Sequence, residues 1–243
     1  MRKGPITMCE AKQPMQLTGL GRPSSEGREP PQSLGGLAHP RHQRIQKLVK
    51  RVVDVVFSAS GLLLLSPILI IIGVLVKLTS RGPVLYRWKV VGQNGRYFTS
   101  FKFRSMIACA DSMKEQLLSK NEMSGPVFKM ARDPRVTPLG RILRKLSLDE
   151  LPQFWSVFKG DMSLVGPRPP LQNEWEQFSD WQKKKLSVKP GMTCLWQVSG
   201  RNDIKDLDEW VRLDLRYIEN WSLWLDFKIL LKTIPAVVLG KGR

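Results

Sequence analysis

The pair Asp149–Glu150 is the strongest candidate for chemistry in this sequence, because two carboxylates lie among several arginines. Neighbouring helical residues point about 100° apart, so these carboxylates would not share a proton as a dyad. They can instead take two roles around one point, with one attacking and the other holding a metal or handling a proton. The nearby arginines suit phosphate oxygens and keep the carboxylates ionised at neutral pH; they are Arg135, Arg141, Arg144 and Arg168.

Carboxylates and arginines without a glycine-rich nucleotide fingerprint indicate a phosphate-handling site. A divalent ion, Mg²⁺, would bridge phosphate and carboxylate, held by Asp149 and Glu150. An equally weighted alternative stays open from the residues alone, since an acidic pair at a helix start also interacts favourably with the helix dipole, with Ser147 as cap. The run Gly-Pro-Arg-Pro at 166–169 places Arg168 between two prolines. Such a rigid arginine could bind an anion, or the run could be a plain turn. Arg201 lies in a Gly-Arg-Asn-Asp run that by itself is most often a loop.

The charge balance indicates an anionic partner. The chain of 243 residues has a net charge of +18, which suits nucleic acid, acidic lipid or a phosphorylated substrate. Its three cysteines are isolated, so they predict a reducing compartment rather than a disulfide framework. We find no zinc or haem spacing in the sequence.

Two segments precede the region of the carboxylates. Residues 1–44 read as a disordered basic tail, with twelve glycines and prolines among the first forty positions. The stretch Val55–Val76 then contains no charged residue over 22 positions. A straight helix of that length would be about 33 Å long, enough to cross a hydrocarbon core of about 30 Å.

Ser66 and Pro67 interrupt this apolar stretch at its middle. Basic residues flank both of its ends, and the positive-inside rule favours placing both clusters on the cytoplasmic side. We therefore expect residues 45–80 to form a re-entrant membrane helix-break-helix hairpin in preference to a kinked span, which stays open. The Ser66 hydroxyl would bond a carbonyl freed by the break.

The run Lys50-Arg51-Val-Val-Asp54 marks the start of the hairpin. Asp54 follows Arg51 by three residues and Lys50 by four, so on a helix it can pair with both. We expect an interfacial salt bridge here rather than a catalytic group.

Residues 81–243 predict a mainly helical α+β domain with one β-hairpin. The run Gly92-Gln-Asn-Gly95 would join strands near Val84–Val91 and Arg96–Phe103. Helices are expected over 109–120, 138–146, 148–158, 173–186, 206–219 and 223–239. The last of these is apolar but interrupted by charges, and its tryptophans fit either an amphipathic interfacial helix or a core helix.

Several stretches in a fixed order carry a resemblance to a known family. They are KRVVD, the Ser-Pro-broken apolar segment, DPRVTPLGRILRKLSLDELPQ, GDMSLVGPRP, KPGMTCLWQVSGRN and DLRYIENWSLWLDFKIL. Together they resemble the bacterial sugar transferases, which are monotopic polyprenyl-phosphate phosphoglycosyl transferases, over roughly residues 45–240. The C-terminal part resembles the larger members, so we expect the catalytic unit of that type, although its Gly-Lys-Gly-Arg end departs from their pattern.

The resemblance implies an activity. Such enzymes transfer a sugar-1-phosphate from a UDP-sugar to undecaprenyl phosphate and release UMP, and here we expect a hexose-1-phosphate. The family works through a phosphosugar carried on an aspartate that matches Asp149, with Mg²⁺ as cofactor and Glu150 as the partner carboxylate. Arg168 would grip a phosphate, helped by Arg135, Arg144 and Arg201.

The resemblance also implies a location and partners. Lys50, Arg51 and Asp54 would stabilise the re-entrant helix and the approach of the lipid phosphate. The catalytic domain would lie on the cytoplasmic face of the bacterial inner membrane, in contact with its lipid, as the first membrane step of exopolysaccharide, capsule or O-antigen synthesis. Nucleic acid is not an expected partner, and a homodimer stays open. Two other readings are weighed: a membrane-attached basic binding protein and an inactive regulator. The interleaved carboxylates count against the first, and the presence of Asp149, Glu150 and Arg168 counts against the second.

Overall fold

The computed structural model describes residues 40–200 and 204–238. Most of the predicted tail, residues 1–39, lies outside this range, and so does Arg201. Helices predominate, which confirms the predicted mainly helical α+β class. The helices are α1 Pro40–Leu64, α2 Ser66–Thr79, α3 Pro138–Lys145, α4 Phe154–Lys159, α5 Gln172–Trp175, α6 Asp180–Lys183, α7 Leu195–Val198, α8 Leu207–Glu219 and α9 Leu223–Val238. The strands are β1 Leu85–Val91, β2 Tyr97–Phe103, β3 Ser163–Val165 and β4 Gly191–Thr193.

The predicted β-hairpin is confirmed. β1 and β2 pair antiparallel, from Leu85 opposite Phe103 to Val91 opposite Tyr97. The connection is tight because Asn94 and Gly95 both adopt positive φ, at 56° and 79°, a conformation that Asn and Gly tolerate best. A second sheet was not predicted: β3 and β4 form a short parallel pair. Each has three residues, too few to give a periodic signal in the sequence.

The apolar segment breaks where the sequence predicts. α1 ends at Leu64 and α2 begins at Ser66, and the pair is bent by 60°. The Ser66 hydroxyl donates to the Leu63 carbonyl at 2.7 Å, as expected for a carbonyl freed by the break. Within the described part of the chain, no helix by itself combines the length and apolar character needed to cross a membrane. α1 from Arg44 together with α2 meets that test of length and composition.

Two predicted helices are wrong in their extent. Residues 109–120 contain turns and a 3₁₀ helix at Glu115–Lys120, and the stretch 173–186 is divided among α5, α6 and a 3₁₀ helix at Lys184–Ser187. The capping box of Ser179 with Gln182 starts a new helix within the second stretch, so local side-chain bonds outcompete a continuous helix there.

α2 is attached to the rest of the domain by one apolar side. Ile72 and Val76 pack with Phe103 of β2 and Leu143 of α3. At the end of α2 the Arg104 guanidinium donates to the Ser80 carbonyl at 2.7 Å and to the Ser80 hydroxyl at 2.8 Å. These bonds satisfy groups that follow the last turn of the helix.

Large apolar side chains are exposed on the other sides of these helices. On α1 and α2 they include Val56, Phe57, Leu63, Leu64, Ile70, Ile71, Val74 and Leu78. On α9, Ile229 is buried, whereas Trp224 is exposed and stacks on Phe227 with ring centroids 5.4 Å apart. α9 thus packs into the core on one side and exposes apolar side chains on the other. It has features of both predicted alternatives, a core helix and an amphipathic interfacial helix.

Candidate active site

A sharp turn positions the two carboxylates. α3 ends at Lys145, and Ser147 follows in the left-handed region with φ of 53°. That conformation is uncommon for a residue other than glycine and costs backbone energy. It redirects the chain into a 3₁₀ helix, Leu148–Gln153, whose first turn carries Asp149 and Glu150. The helix expected over 148–158 is therefore this 3₁₀ helix followed by α4.

Asp149 lies close to Arg144. The Asp149 side chain is buried, with 7% of its surface exposed. Burial lowers the pKa of the Arg144 guanidinium, and the Asp149 charge opposes that change. The Arg144 Nε also donates to the Ser105 hydroxyl at 2.9 Å. α3 reaches this position because Gly140 lies directly on the Ser105 backbone, where a Cβ would be 2.0 Å from the carbonyl oxygen.

Glu150 is paired with a lysine from the hairpin. The Lys102 Nζ lies 2.7 Å from the Glu150 Oε1 and 4.2 Å from the centroid of the Trp88 ring. Both charged side chains are partly exposed, at 16% and 17%. Sequence reasoning missed Lys102. Its signal was the alternation Phe101-Lys102-Phe103, in which a charged residue lies on the opposite face of the strand from two aromatic ones.

Arg168 joins this group across a narrow cleft. Glu150, Lys102 and Arg168 all line it, together with Trp88, Gln153, Pro169, Gly191, Met192 and Gln197. The arginine carbon Cζ lies 6.0 Å from the Trp210 ring centroid. The Gly-Pro-Arg-Pro run packs tightly on β4, because a Cβ on Gly191 would be 2.1 Å from the Gly166 nitrogen. The cleft thus presents two cations and a carboxylate on elements with little freedom to move.

Arg135 is held by its own loop. Its Nη2 lies 2.7 Å from the Asp133 Oδ2, and its Nη1 donates to the Ala110 carbonyl at 3.2 Å. Burial by itself would raise the pKa of Asp133, but the hydrogen bonds from Arg135 lower it below its ordinary value. Arg135 is close enough to Arg144 to lower the pKa of that guanidinium. It borders the arginine cluster without lining the cleft of Glu150 and Arg168.

The three charged residues of the KRVVD run lie outside the cleft of Glu150 and Arg168. The predicted pairing of Asp54 with Lys50 and Arg51 is wrong. Lys50 donates to Asp226 of α9 at 2.5 Å, and Arg51 donates to the Val157 carbonyl at 2.8 Å. Asp54 accepts from the Ser163 hydroxyl and the Leu164 amide. Polar groups on neighbouring elements thus take the place of the helix neighbours as partners. These residues fasten α1 to the strand that leads into the Arg168 loop.

The two carboxylates are the candidate ligands for a hard cation whose other ligands would come from substrate and water. No group of three or more His, Cys, Asp or Glu side chains is gathered anywhere in residues 40–200 and 204–238. Mg²⁺ commonly binds through one or two carboxylates and takes its other oxygens from phosphate and water. Asp149 and Glu150 supply two such carboxylates, with Lys102 and Arg168 nearby for a phosphate.

Comparison with known proteins identifies the class. Residues 45–240 match the model of the bacterial sugar transferase family, and the chain belongs to that family. It is 48% identical over 195 residues to the galactosyl transferase CpsE of Streptococcus agalactiae, which covers 80% of this chain and 43% of that protein. It is 43% identical over 204 residues to the undecaprenyl-phosphate galactose phosphotransferase of Salmonella typhimurium, covering 82% of this chain and 42% of that protein. The chain therefore matches less than half the length of these two relatives.

A third relative is matched along most of its length. The exopolysaccharide production protein ExoY of Rhizobium meliloti is 43% identical over 199 residues, covering 80% of this chain and 88% of ExoY. The resemblance predicted from the sequence motifs is thereby confirmed at the level of the family.

Proposed function

We propose that this protein transfers a sugar-1-phosphate from a UDP-sugar to undecaprenyl phosphate and releases UMP. The observation that carries the proposal is the Asp149–Glu150 pair beside a cleft lined by Lys102 and Arg168, in a chain that belongs to the bacterial sugar transferases. A relative's name, undecaprenyl-phosphate galactose phosphotransferase, supports this acceptor and a hexose donor.

The first step is a displacement at phosphorus. An Asp149 carboxylate oxygen attacks the phosphorus that bears the sugar, and the bond from that phosphorus to the UMP oxygen breaks. UMP leaves with the bonding electron pair, and the sugar-phosphate is now esterified to Asp149. The positive charge of Arg144 interacts with the attacking carboxylate of Asp149.

The second step regenerates the enzyme. A phosphate oxygen of undecaprenyl phosphate attacks the same phosphorus, and the bond to Asp149 breaks. The lipid diphosphate sugar leaves, and Asp149 is again a carboxylate. The covalent intermediate divides a transfer between a soluble donor and a membrane lipid into two separate reactions.

The other residues of the cleft act on charge. Arg168 and Lys102 stabilise the oxygens on which negative charge accumulates during each displacement. Glu150 orients Lys102 through the 2.7 Å ion pair. Asp149 and Glu150 would also hold Mg²⁺, which supplies Lewis-acid neutralisation of the diphosphate when bound.

The exposed apolar sides of α1, α2, α4 and α9 support a one-sided attachment to the cytoplasmic leaflet of the inner membrane. We propose that α1 and α2 enter and return on that side, so that the cleft lies near the level of the lipid phosphate. Labelling of Ile45→Cys and Leu85→Cys with a membrane-impermeant thiol reagent in right-side-out and inverted vesicles tests this. Labelling from opposite sides would disprove the re-entrant placement.

The activity test uses the full chain in nanodiscs with undecaprenyl phosphate and Mg²⁺. Each UDP-sugar is supplied in turn and UMP release is measured, with UDP-glucose or UDP-galactose expected to be the best donor. Asp149→Asn is expected to abolish release and to abolish labelling of the protein by a donor with radioactive β-phosphate when lipid is omitted. Asp180→Asn, an exposed acid at the start of α6, is the matched control. Wild-type turnover in Asp149→Asn would exclude Asp149 as the attacking group.

A further inference from the structure

A second cleft lies along the edge of β1 that does not pair with β2, and we call it the β1 cleft. It has a volume of about 390 Å³, which is within the usual range for sites that hold small molecules. Its walls come from β1, from the turn near Asp111 and from α5. They include Tyr86, Trp88, Lys89, Asp111, Asn173 and Glu176.

The β1 cleft shares one wall residue with the cleft of Glu150 and Arg168. Trp88 lines both of them. Tyr86, in the β1 cleft, is directly opposite Lys102 in the hairpin register, and Lys102 pairs with Glu150. A ligand bound in the β1 cleft would therefore extend past the Trp88 indole towards Lys102 and Arg168.

Aromatic surface is available at this wall. Tyr86 is 44% exposed, while Trp88 is buried to 8% exposure. The Trp88 Nε1 is buried and has no hydrogen-bond partner among the described residues. The ring that a ligand can reach in this wall is therefore that of Tyr86.

The two clefts differ in the groups they offer. The Glu150–Arg168 cleft has two cations, Lys102 and Arg168, in its wall, and a diphosphate would lie against them. The β1 cleft contains two carboxylates, Asp111 and Glu176, which accept hydrogen bonds from hydroxyl groups, and it is also lined by the cations Arg87, Lys89 and Lys114. Burial and the Asp111 charge raise the pKa of the Tyr86 phenol, so its hydroxyl remains a donor at neutral pH. Acidic side chains commonly bind ribose hydroxyls, and aromatic rings stack on bases.

We propose that the β1 cleft binds the nucleoside of the sugar nucleotide, with the base against Tyr86 and the ribose hydroxyls at Asp111 and Glu176. The diphosphate then passes along Trp88 towards Arg168 and Lys102, and the sugar-bearing phosphorus reaches Asp149. This assignment rests on the proposed function, because that function supplies the nucleotide.

The direct test is the binding of UMP to the full chain in nanodiscs, measured by isothermal titration calorimetry without lipid acceptor. Loss of stacking in Tyr86→Ala is expected to raise the Kd of UMP about tenfold or more. Tyr86→Phe keeps the ring and is expected to stay within a few-fold of the wild type. Tyr97→Ala is the matched control, since Tyr97 is an exposed tyrosine of the same hairpin outside the cleft.

A second substitution separates a local effect from unfolding. Asp111 is exposed, and its replacement by Asn is conservative. Asp111→Asn is expected to raise the Kd of UMP several-fold and to leave the melting temperature unchanged. Three results would each overturn the assignment. The wild type could fail to bind UMP at millimolar concentration, Tyr86→Ala could bind UMP with the wild-type Kd, or Tyr97→Ala could raise the Kd of UMP as much as Tyr86→Ala does.

The outcomes also distinguish this inference from the proposed function. If UMP binds in a Tyr86-dependent way but no UDP-sugar yields UMP with undecaprenyl phosphate, the nucleoside site stands and the proposed reaction is wrong. If UMP is released by a reaction that requires Asp149 but Tyr86→Ala leaves both the Kd of UMP and the KM of the donor unchanged, the reaction stands and the nucleoside site is wrong.

Discussion

Two lysine–carboxylate pairs of nearly the same length occupy opposite environments in this protein. Lys102 and Glu150 are 2.7 Å apart at a cleft, and each remains partly exposed. Lys185 and Asp214 are 2.6 Å apart in the core, with exposures of 3% and 1%. The distance between the charges is therefore uninformative about their role, and access to a ligand distinguishes the two pairs.

The environment also changes the titration of the carboxylates. Burial raises the pKa of Asp214 above its ordinary value, although Lys185 and Arg168 oppose the change. In the core pair each charged group has lost its contact with water and interacts with the other group instead. Removal of either group therefore leaves the other as a buried charge without a partner. In the cleft, Lys102 also contacts the Trp88 ring, and water or a ligand oxygen can take the place of Glu150.

The largest effect on stability is expected from the core pair. Lys185→Met leaves the Asp214 carboxylate without its cation and should lower the free energy of unfolding by about 3–5 kcal/mol. Chemical denaturation of the detergent-solubilised protein measures this change. If the free energy of unfolding fell by less than about 1 kcal/mol, the core pair would contribute no more to stability than the pair in the cleft. The two pairs would then not differ in the way proposed.

The next largest effect is expected on turnover. Glu150→Gln removes the charge that orients Lys102 and helps to hold Mg²⁺, so UMP release should fall about a hundredfold or more. Its melting temperature should stay close to that of the wild type, because the side chain is partly solvated. Glu219→Gln, at an exposed position at the end of α8 outside both clefts, is the control for removing a glutamate charge without disturbing Lys102. A large fall in the melting temperature of Glu150→Gln would assign Glu150 to the structure.

The pH dependence of stability sharpens the comparison further. Because the folded-state pKa of Asp214 is raised from 3.8, its contribution to stability is full below that value and is lost as pH rises. The unfolding free energy of the wild type minus that of Asp214→Asn should therefore decrease as pH rises above that value. Denaturation at a series of pH values checks this, and a difference that grows with pH would identify Asp214 as an ordinary ionised partner.

The smallest effect is expected for the stability of a cleft variant. Lys102→Met removes a partly exposed ion pair, whose contribution is usually about 1 kcal/mol or less. Its unfolding free energy should change by no more than that amount, while UMP release falls with the loss of a cation near the phosphates. A destabilisation comparable with that of Lys185→Met would contradict the distinction between the two sites.

The sequence predicted those parts of the fold that depend on local signals. The hairpin followed from Asn94–Gly95 between β-branched and aromatic runs, and the break followed from Ser66–Pro67. The pairing of β3 with β4 and of Lys50 with Asp226 could not be predicted, because these partners are far apart in the chain and have no periodic pattern. Asp54 shows the same difficulty, since its helix neighbours were plausible partners and a distant strand offered better ones.

The candidate site was predicted only as far as residue type allowed. Asp149, Glu150, Arg144 and Arg168 were chosen for charge and spacing, and the structure brings them to neighbouring positions. Lys102 was missed because a lysine in an amphipathic strand is most often solvated. Arg135 was chosen for its charge, and only the fold reveals that Asp133 engages its guanidinium.

The bend between α1 and α2 has a mechanical consequence for the membrane. α2 has 14 residues, which corresponds to about 21 Å at 1.5 Å per residue and is less than the hydrocarbon thickness of about 30 Å. In the proposed placement α2 starts within the bilayer and returns to the cytoplasmic side, so it adds more volume to the cytoplasmic leaflet than to the other. Each copy would therefore enlarge one leaflet relative to the other and favour bending of the bilayer towards the cytoplasm.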